Sequence, residues 1–175
     1  MVHYRYATEE QIELADVARK ICEDKLKPQL EELEHADGGL GKYPMDVHQA
    51  LVEAGYYGMN IPEEYGGLGM DIVTRAIIAE EIATVDSGFA FAFTNAGNYF
   101  NTIIETHITE EEKQAWADRI LSGEAIGAFA LTESEAGSDA AAMRTTAEFD
   151  AEKNEWVING TKCFCSNGPI ANFFF

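Results

Sequence analysis

Residues 131–144 read LTESEAGSDAAAMR, a threonine, three carboxylates, a glycine and two serines between an apolar run and a threonine-rich one. The small residues Ala136, Gly137 and Ser138 let backbone N–H groups come close to a ligand, an arrangement that suits phosphate oxygens. Thr132 stands at the end of an expected strand with a hydroxyl able to donate a hydrogen bond, and Asp139 can cap the next turn of chain. The same residues also make an ordinary β-turn in which Ser138 and Asp139 bond their own backbone. Both readings stay open on this segment alone. Further on, residues 158–169 read INGTKCFCSNGP, and two such segments on one β layer could line a common cleft.

Composition narrows the partners. The 175 residues are 46% hydrophobic and 25% charged, enough for a globular core, and 12 basic against 31 acidic residues give a net charge of -19. That charge repels nucleic-acid phosphates and anionic lipid heads, so neither nucleic acid nor a membrane is an expected partner. No run of about 18 apolar residues is present, and the opening MVHYRYATEEQ lacks a signal-peptide layout, so a cytoplasmic location is expected. Cys22, Cys163 and Cys165 contain no C-x-x-C pair, and on a strand the last two would share one face as small buried side chains. His3, His35, His48 and His107 are scattered without the i, i+4 pairing of a helical metal site, and no metal is expected.

The elements that must position the two segments can be read from periodicity and caps. Thr8 and Gln11 form a capping box that opens a long amphipathic helix over residues 8 to about 34, with Ile12, Ala15, Ala18, Ile21 and Leu26 on one face. Gly38, Gly39 and Gly41 break it. Pro44 starts a short helix that Gly55 ends, and GYYGMNIPEEYGGLGMD is read as a connector without period. Asp71 caps a third helix through about Thr84. Ser87 to Glu105 forms a buried phenylalanine-rich fourth, and a Thr109–Glu112 capping box opens a fifth that reaches Gly123. Short strands come next in AIGAFALTE, RTTAEFD, EWVINGTKCFCSN and NFFF, with Asn159-Gly160 as a hairpin signal and DAEKNE as a polar turn. The expected class is α+β: an all-α helical domain over residues 1–122, then an incomplete antiparallel β-barrel domain over 123–175. The closing strand has no visible partner and exposes apolar surface, which implies a truncated chain or a docked one.

Taken together, Thr132-Glu133, Ala136-Gly137-Ser138-Asp139, Asn159-Gly160, Lys162, Phe164 and Ser166-Asn167-Gly168 fall on the pattern T-E-x-x-A-G-S-D followed by N-G-x-K-x-[WF]-I-[ST]-N-G. In this the sequence resembles the acyl-CoA dehydrogenase family, and IPEEYGGLGMD and LSGEAIGAFALTE extend the likeness over nearly the whole chain. The resemblance implies α,β-dehydrogenation of an acyl-CoA with FAD as cofactor, electron-transfer flavoprotein as electron acceptor, and a homo-oligomer at full length. It implies that Phe129, Thr132, Gly137, Ser138, Phe164 and Ser166 contact FAD and that Ser138 also lies beside the acyl-CoA. Ser134-Glu135 stands where the family often has Pro-Gly, Phe164 replaces a frequent tryptophan, and Cys165 replaces an aliphatic residue. The family's catalytic glutamate belongs to a C-terminal helical domain, so the base is expected beyond Phe175 and no catalytic residue is assigned. Two alternatives share the fold: a non-catalytic docking subunit or inactive fragment, and an acyl-CoA oxidase or flavin monooxygenase.

Overall fold

The computed structural model describes residues 7–36, 42–104 and 108–175. The first helix, α1 (Glu9–Ile21), carries both bonds of its capping box: Gln11 N–H donates to Thr8 Oγ1 at 3.2 Å and Thr8 N–H to Gln11 Oε1 at 2.9 Å. The single helix expected to about residue 34 instead changes pitch, through a π-turn at Cys22–Leu26 and a 3-10 turn at Lys27–Gln29, before α2 (Leu30–His35). Pro28 is the physical reason. It has no N–H, and its ring crowds the carbonyl one turn back. Lys27 N–H therefore reaches five residues back to the Cys22 carbonyl, and the Gln29 side-chain amide donates to the Lys25 carbonyl at 2.7 Å. The expected glycine break at 38, 39 and 41 lies outside the described residues, as does Glu105 at the end of the fourth predicted helix.

Next, α3 (Met45–Glu53) comes after Pro44 and runs out into Gly55, which is left-handed at φ 88°. Residues 56–70 are not the plain connector that their lack of period suggests. They form 3-10 turns at Tyr56–Gly58 and Glu63–Tyr65, and Tyr56, Tyr57, Met59 and Ile61 are buried. The aromatic and aliphatic side chains there have core to fill, and tertiary packing overrides the local signal. Next, α4 (Ile72–Ala83) is capped by Asp71, which accepts from Val73 and Thr74 N–H. Asp86 caps α5 (Ser87–Asn98) by accepting from Phe89 N–H. A break at Tyr99 separates α5 from α6 (Phe100–Ile104), and α7 (Glu110–Leu121) opens on its predicted capping box. No helix among the described residues is long and apolar enough to cross a membrane.

The β region holds two separate two-stranded sheets. In one, β1 (Gly127–Ala128) pairs with β4 (Phe173–Phe174), Gly127 opposite Phe173; in the other, β2 (Thr146–Asp150) pairs with β3 (Glu155–Asn159), Thr146 opposite Asn159. The second pair is antiparallel as expected. The first is parallel, because the long excursion between β1 and β4 lets the chain come back in the same direction. The hairpin turn sits at residues 151–154, with Asn154 left-handed and Asp150 Oδ1 accepting from Glu152 and Lys153 N–H. Asn159-Gly160 makes no hairpin. It ends β3, and glycine is required at 160 because a Cβ there would collide with the Thr145 side chain. The closing phenylalanines have partners too: Phe173 lies against Trp116 (5.0 Å between ring centroids) and Phe175 against Tyr99 (5.2 Å), leaving Phe174 as the exposed member.

Three polar side chains among the described residues are buried, His48, Thr74 and Glu81. His48 is fully buried, with Tyr43 Oη 2.9 Å from Nδ1 and the rings of Tyr57 and Phe93 at 4.7 and 5.4 Å. Burial pushes its pKa down to about 4. The unfolded chain, with an ordinary histidine pKa near 6.5, takes up the proton first as pH falls. Stability is therefore complete above about pH 6.5 and declines toward pH 4 by about 3 kcal/mol. In urea titrations the wild-type midpoint should fall across that window. His48→Asn, whose Oδ1 replaces Nδ1, should start lower and lose much less. An unchanged slope in the variant would refute this account.

Candidate active site

The loop 133–145 is closed by one carboxylate. Glu133 accepts from Arg144 N–H (2.7 Å), Thr145 N–H (3.0 Å), Thr145 Oγ1 (2.5 Å) and Lys162 Nζ (2.9 Å). Its backbone makes a tight turn with Ala136, Glu133 N–H donating to the Ala136 carbonyl and Ala136 N–H returning to that of Glu133. The same side chain thus fixes where the loop leaves and where it returns. The Thr145 hydroxyl, the Arg144 amide and the Lys162 ammonium together hold its pKa down to about 2. Lys162 also donates to the Leu131 carbonyl at 3.1 Å, so it ties the second segment to the first.

Around this clasp the predicted residues fall into two groups. Thr132 is half-buried, and its carbonyl accepts from Cys163 N–H at 2.8 Å, which brings the 162–166 segment alongside it. Neither Thr132 nor residues 162–166 lie in a regular strand, contrary to expectation, and Cys163 and Cys165 are half-buried rather than core. Phe164, next to Cys163, is 90% exposed and left-handed at φ 56°. Ser166 is half-buried just beyond it, and Asn167 fastens the segment to the helical domain by donating to the Ala92 carbonyl of α5 at 2.9 Å. Phe129 stacks on Tyr99, centroids 6.1 Å apart at 13°, and remains 44% exposed.

Gly137 and Ser138 form the second group, exposed on the limb of the loop beyond the Ala136 turn. Among the described residues no hydrogen bond links either to the 162–168 segment. A Cβ added at Gly137 would meet nothing within 4 Å, so the fold itself places no steric demand for glycine there. The space at Gly137 and the ring of Phe164 are thus both uncovered by the protein's own atoms. Glu133 is the residue whose role sequence reasoning missed. Its place in the Thr-Glu motif was visible, but the contact with Lys162 spans 29 residues and leaves no local trace.

A helical domain is thus followed by a β region, and the two loop segments are tied together and to helix α5. Residues 8–124 match the acyl-CoA dehydrogenase N-terminal domain and residues 128–175 the acyl-CoA dehydrogenase middle domain. The chain belongs to the acyl-CoA dehydrogenase family. It is 37% identical over 166 residues to the acryloyl-CoA reductase (NADH) of Anaerotignum propionicum, across 94% of this chain and 40% of that one. Glutaryl-CoA dehydrogenase of Mycobacterium smegmatis in complex with FADH2 superposes with a TM-score of 0.84 at 30% identity, covering 97% of this chain and 42% of the other. A chain in the structure of the electron transferring flavoprotein of Acidaminococcus fermentans gives 0.83 at 34%, covering 98% and 44%. The chain spans about two fifths of the length of the curated relatives it matches.

Glu133→Gln should loosen the loop, because the amide offers one acceptor oxygen where four donors converge, and a donor NH2 now faces some of them. Hydrogen exchange at the Arg144 and Thr145 amides should speed up on the order of tenfold. The wild-type carboxylate adds stability above about pH 4.5 and loses it as pH falls toward 2, so the variant's protection factors, with the intrinsic pH dependence of exchange divided out, should be flat across that range. Unchanged exchange at both amides would mean that the clasp does not hold the loop.

Proposed function

We propose that this chain is the N-terminal and middle part of an FAD-dependent enzyme that removes a proton from Cα and a hydride from Cβ of an acyl-CoA. Bound FAD would supply the hydride acceptor. Family membership supports the reaction class, and one observation in the structure carries it to this site. Phe164 holds an apolar ring 90% exposed on a left-handed backbone, a conformation that costs on the order of 1–3 kcal/mol and that a ligand packed on the ring would offset. In this reading Phe164 lies against the flavin ring and keeps water from the hydride path. The Thr132 hydroxyl faces the flavin edge where negative charge gathers on reduction, and Phe129 and Ser166 border the ring. Gly137 and Ser138 turn their amides to the pyrophosphate, and Ser138 also touches the acyl-CoA. The base that takes the Cα proton is assigned to no residue of this chain and is proposed to lie outside it.

The finer features belong to the same reading. The two small sheets are parts of a β-barrel, the domain boundary falls at residues 122–123, and the whole protein is a cytoplasmic homo-oligomer. Its electrons pass to an electron-transfer flavoprotein, a partner supported by the likeness to the Acidaminococcus chain. A short acyl group is favoured by the acryloyl-CoA reductase relative. Helix α5 adds little to that choice through Phe89 and Phe93, which are packed in the core, and leaves Phe91, 59% exposed, as the phenylalanine free to meet an acyl chain. The similarity to a reductase also admits the reverse direction, enoyl-CoA to acyl-CoA, on the same site.

The full-length protein, reconstituted with FAD, should be bleached anaerobically by butyryl-CoA and much less by palmitoyl-CoA, and its reduced form should be reoxidised by crotonyl-CoA. No bleaching by any acyl-CoA would overturn the reaction, and bleaching only by palmitoyl-CoA would overturn the short acyl group. Phe164→Ala should weaken FAD retention about three- to tenfold, the worth of one aromatic contact. Residues 1–175 alone should hold FAD only weakly.

A further inference from the structure

Two thiols flank Phe164, and the proposed dehydrogenation uses neither. Cys163 and Cys165 are both free and half-buried, so both are within reach of a small solute. In an extended segment, residues two apart have Cα atoms about 6.6–6.8 Å from each other. That is the outer limit of the roughly 4.4–6.8 Å that a disulfide spans. The left-handed backbone at Phe164 changes this distance. A residue in the ideal left-handed helical conformation brings its flanking Cα atoms to about 5.4 Å, near the middle of the disulfide range, and Phe164 has the φ of that region. The Cys165 sulfur lies 3.8 Å from the Cys163 carbonyl oxygen, and the Cys163 sulfur lies 3.7 Å from the Thr132 carbonyl oxygen, so closing the bridge requires the Cys163 side chain to rotate off Thr132. The surrounding frame is anchored on both sides, by Cys163 N–H on the Thr132 carbonyl and Gly168 N–H on that of Cys165, so a bridge closes within a fixed arm.

We propose that Cys163 and Cys165 are a redox modification site that closes to a reversible disulfide when the protein meets a peroxide. One thiolate attacks a peroxide oxygen and breaks the O–O bond, giving a sulfenic acid and one water. The second thiol attacks that sulfur, displaces the hydroxyl as a second water and forms the S–S bond. Two electrons pass from the two sulfurs to the peroxide, and the two thiol protons leave in the two waters. The bridge encloses Phe164 in a small ring, fixing the backbone that carries the exposed aromatic. Cys22 is an internal control: it is fully buried, and burial raises its pKa to about 12, so it stays a thiol.

The site is tested on the 175-residue chain with hydrogen peroxide, blocking remaining thiols with N-ethylmaleimide and digesting with trypsin. Cleavage after Lys162 puts Cys163 and Cys165 on one peptide and Cys22 on another. The 163–175 peptide should lose both alkylation sites together and become lighter by two hydrogens, at least tenfold faster than Cys22 is lost, and dithiothreitol should restore it. Phe164→Gly, which keeps the left-handed backbone available, should close at a similar rate. Phe164→Val, whose β-branch favours the extended form, should close several-fold more slowly. Oxygen atoms gained one thiol at a time, loss at the pace of Cys22, or equal rates for the Val and Gly variants would each overturn the proposal.

Discussion

Everything at the candidate site hangs on the carboxylate of Glu133. Four donors converge on it: Thr145 N–H, the Thr145 hydroxyl and the Lys162 ammonium on Oε1, and Arg144 N–H on Oε2. Its partner Lys162 is 19% exposed and Glu133 10%, so the pair is largely withdrawn from water. Such a pair gains only if its remaining hydrogen-bonding capacity is also met. That condition is satisfied, and the Leu131 carbonyl takes a further Lys162 proton. The exposed Arg144–Glu135 pair nearby, at 2.7 Å, is a weaker constraint because water competes for both groups. Had Glu133 been apolar, the loop bearing Gly137 and Ser138 would have had nothing to close on except its own short turn.

The clasp orders the two segments relative to each other, and α5 ties them to the helical domain. Asn167 bonds the Ala92 carbonyl from one side, while Phe129 and Phe175 pack against Tyr99 just past the helix end. The other face of α5 is in the core, where Phe93 meets Tyr57 and His48. A single helix therefore links the aromatic core to the site, and the break at Tyr99 is where its tyrosine ring turns toward the β region. Rigidity passes from a close-packed interior to a polar loop that has little packing of its own.

Elements set by neighbours in sequence were legible from sequence. The Thr8–Gln11 and Thr109–Glu112 boxes and the Asp71 cap were readable because a side chain three residues away bonds the backbone beside it. The motif positions were readable by resemblance. Features that depend on distant partners were not: the parallel pairing of Gly127 with Phe173, the burial of Tyr57 and Ile61, and the grip of Glu133 on Lys162. Asn159-Gly160 shows how a strong local signal fails. The dipeptide suits a hairpin, yet the chain uses its glycine to pass close to Thr145, a contact that the same clasp holds in place.

The two halves are stabilised by different means. The helical half closes on a core of buried aliphatic and aromatic side chains, with single apolar residues such as Ile72 and Phe91 left exposed on its surface. The loop region is held by hydrogen bonds to one charge, so its surface remains compatible with water whether or not a ligand is present. Phe164 breaks that pattern. It is the most exposed of the large hydrophobic side chains described, and it sits within one residue of the Cys163–Thr132 bond that joins the two segments. An apolar ring at the centre of an otherwise polar arm gains from burial only if a flat apolar surface comes to it. The same backbone twist that displays the ring draws its flanking thiols together, so the conformation that suits a planar ligand also creates the redox-sensitive pair.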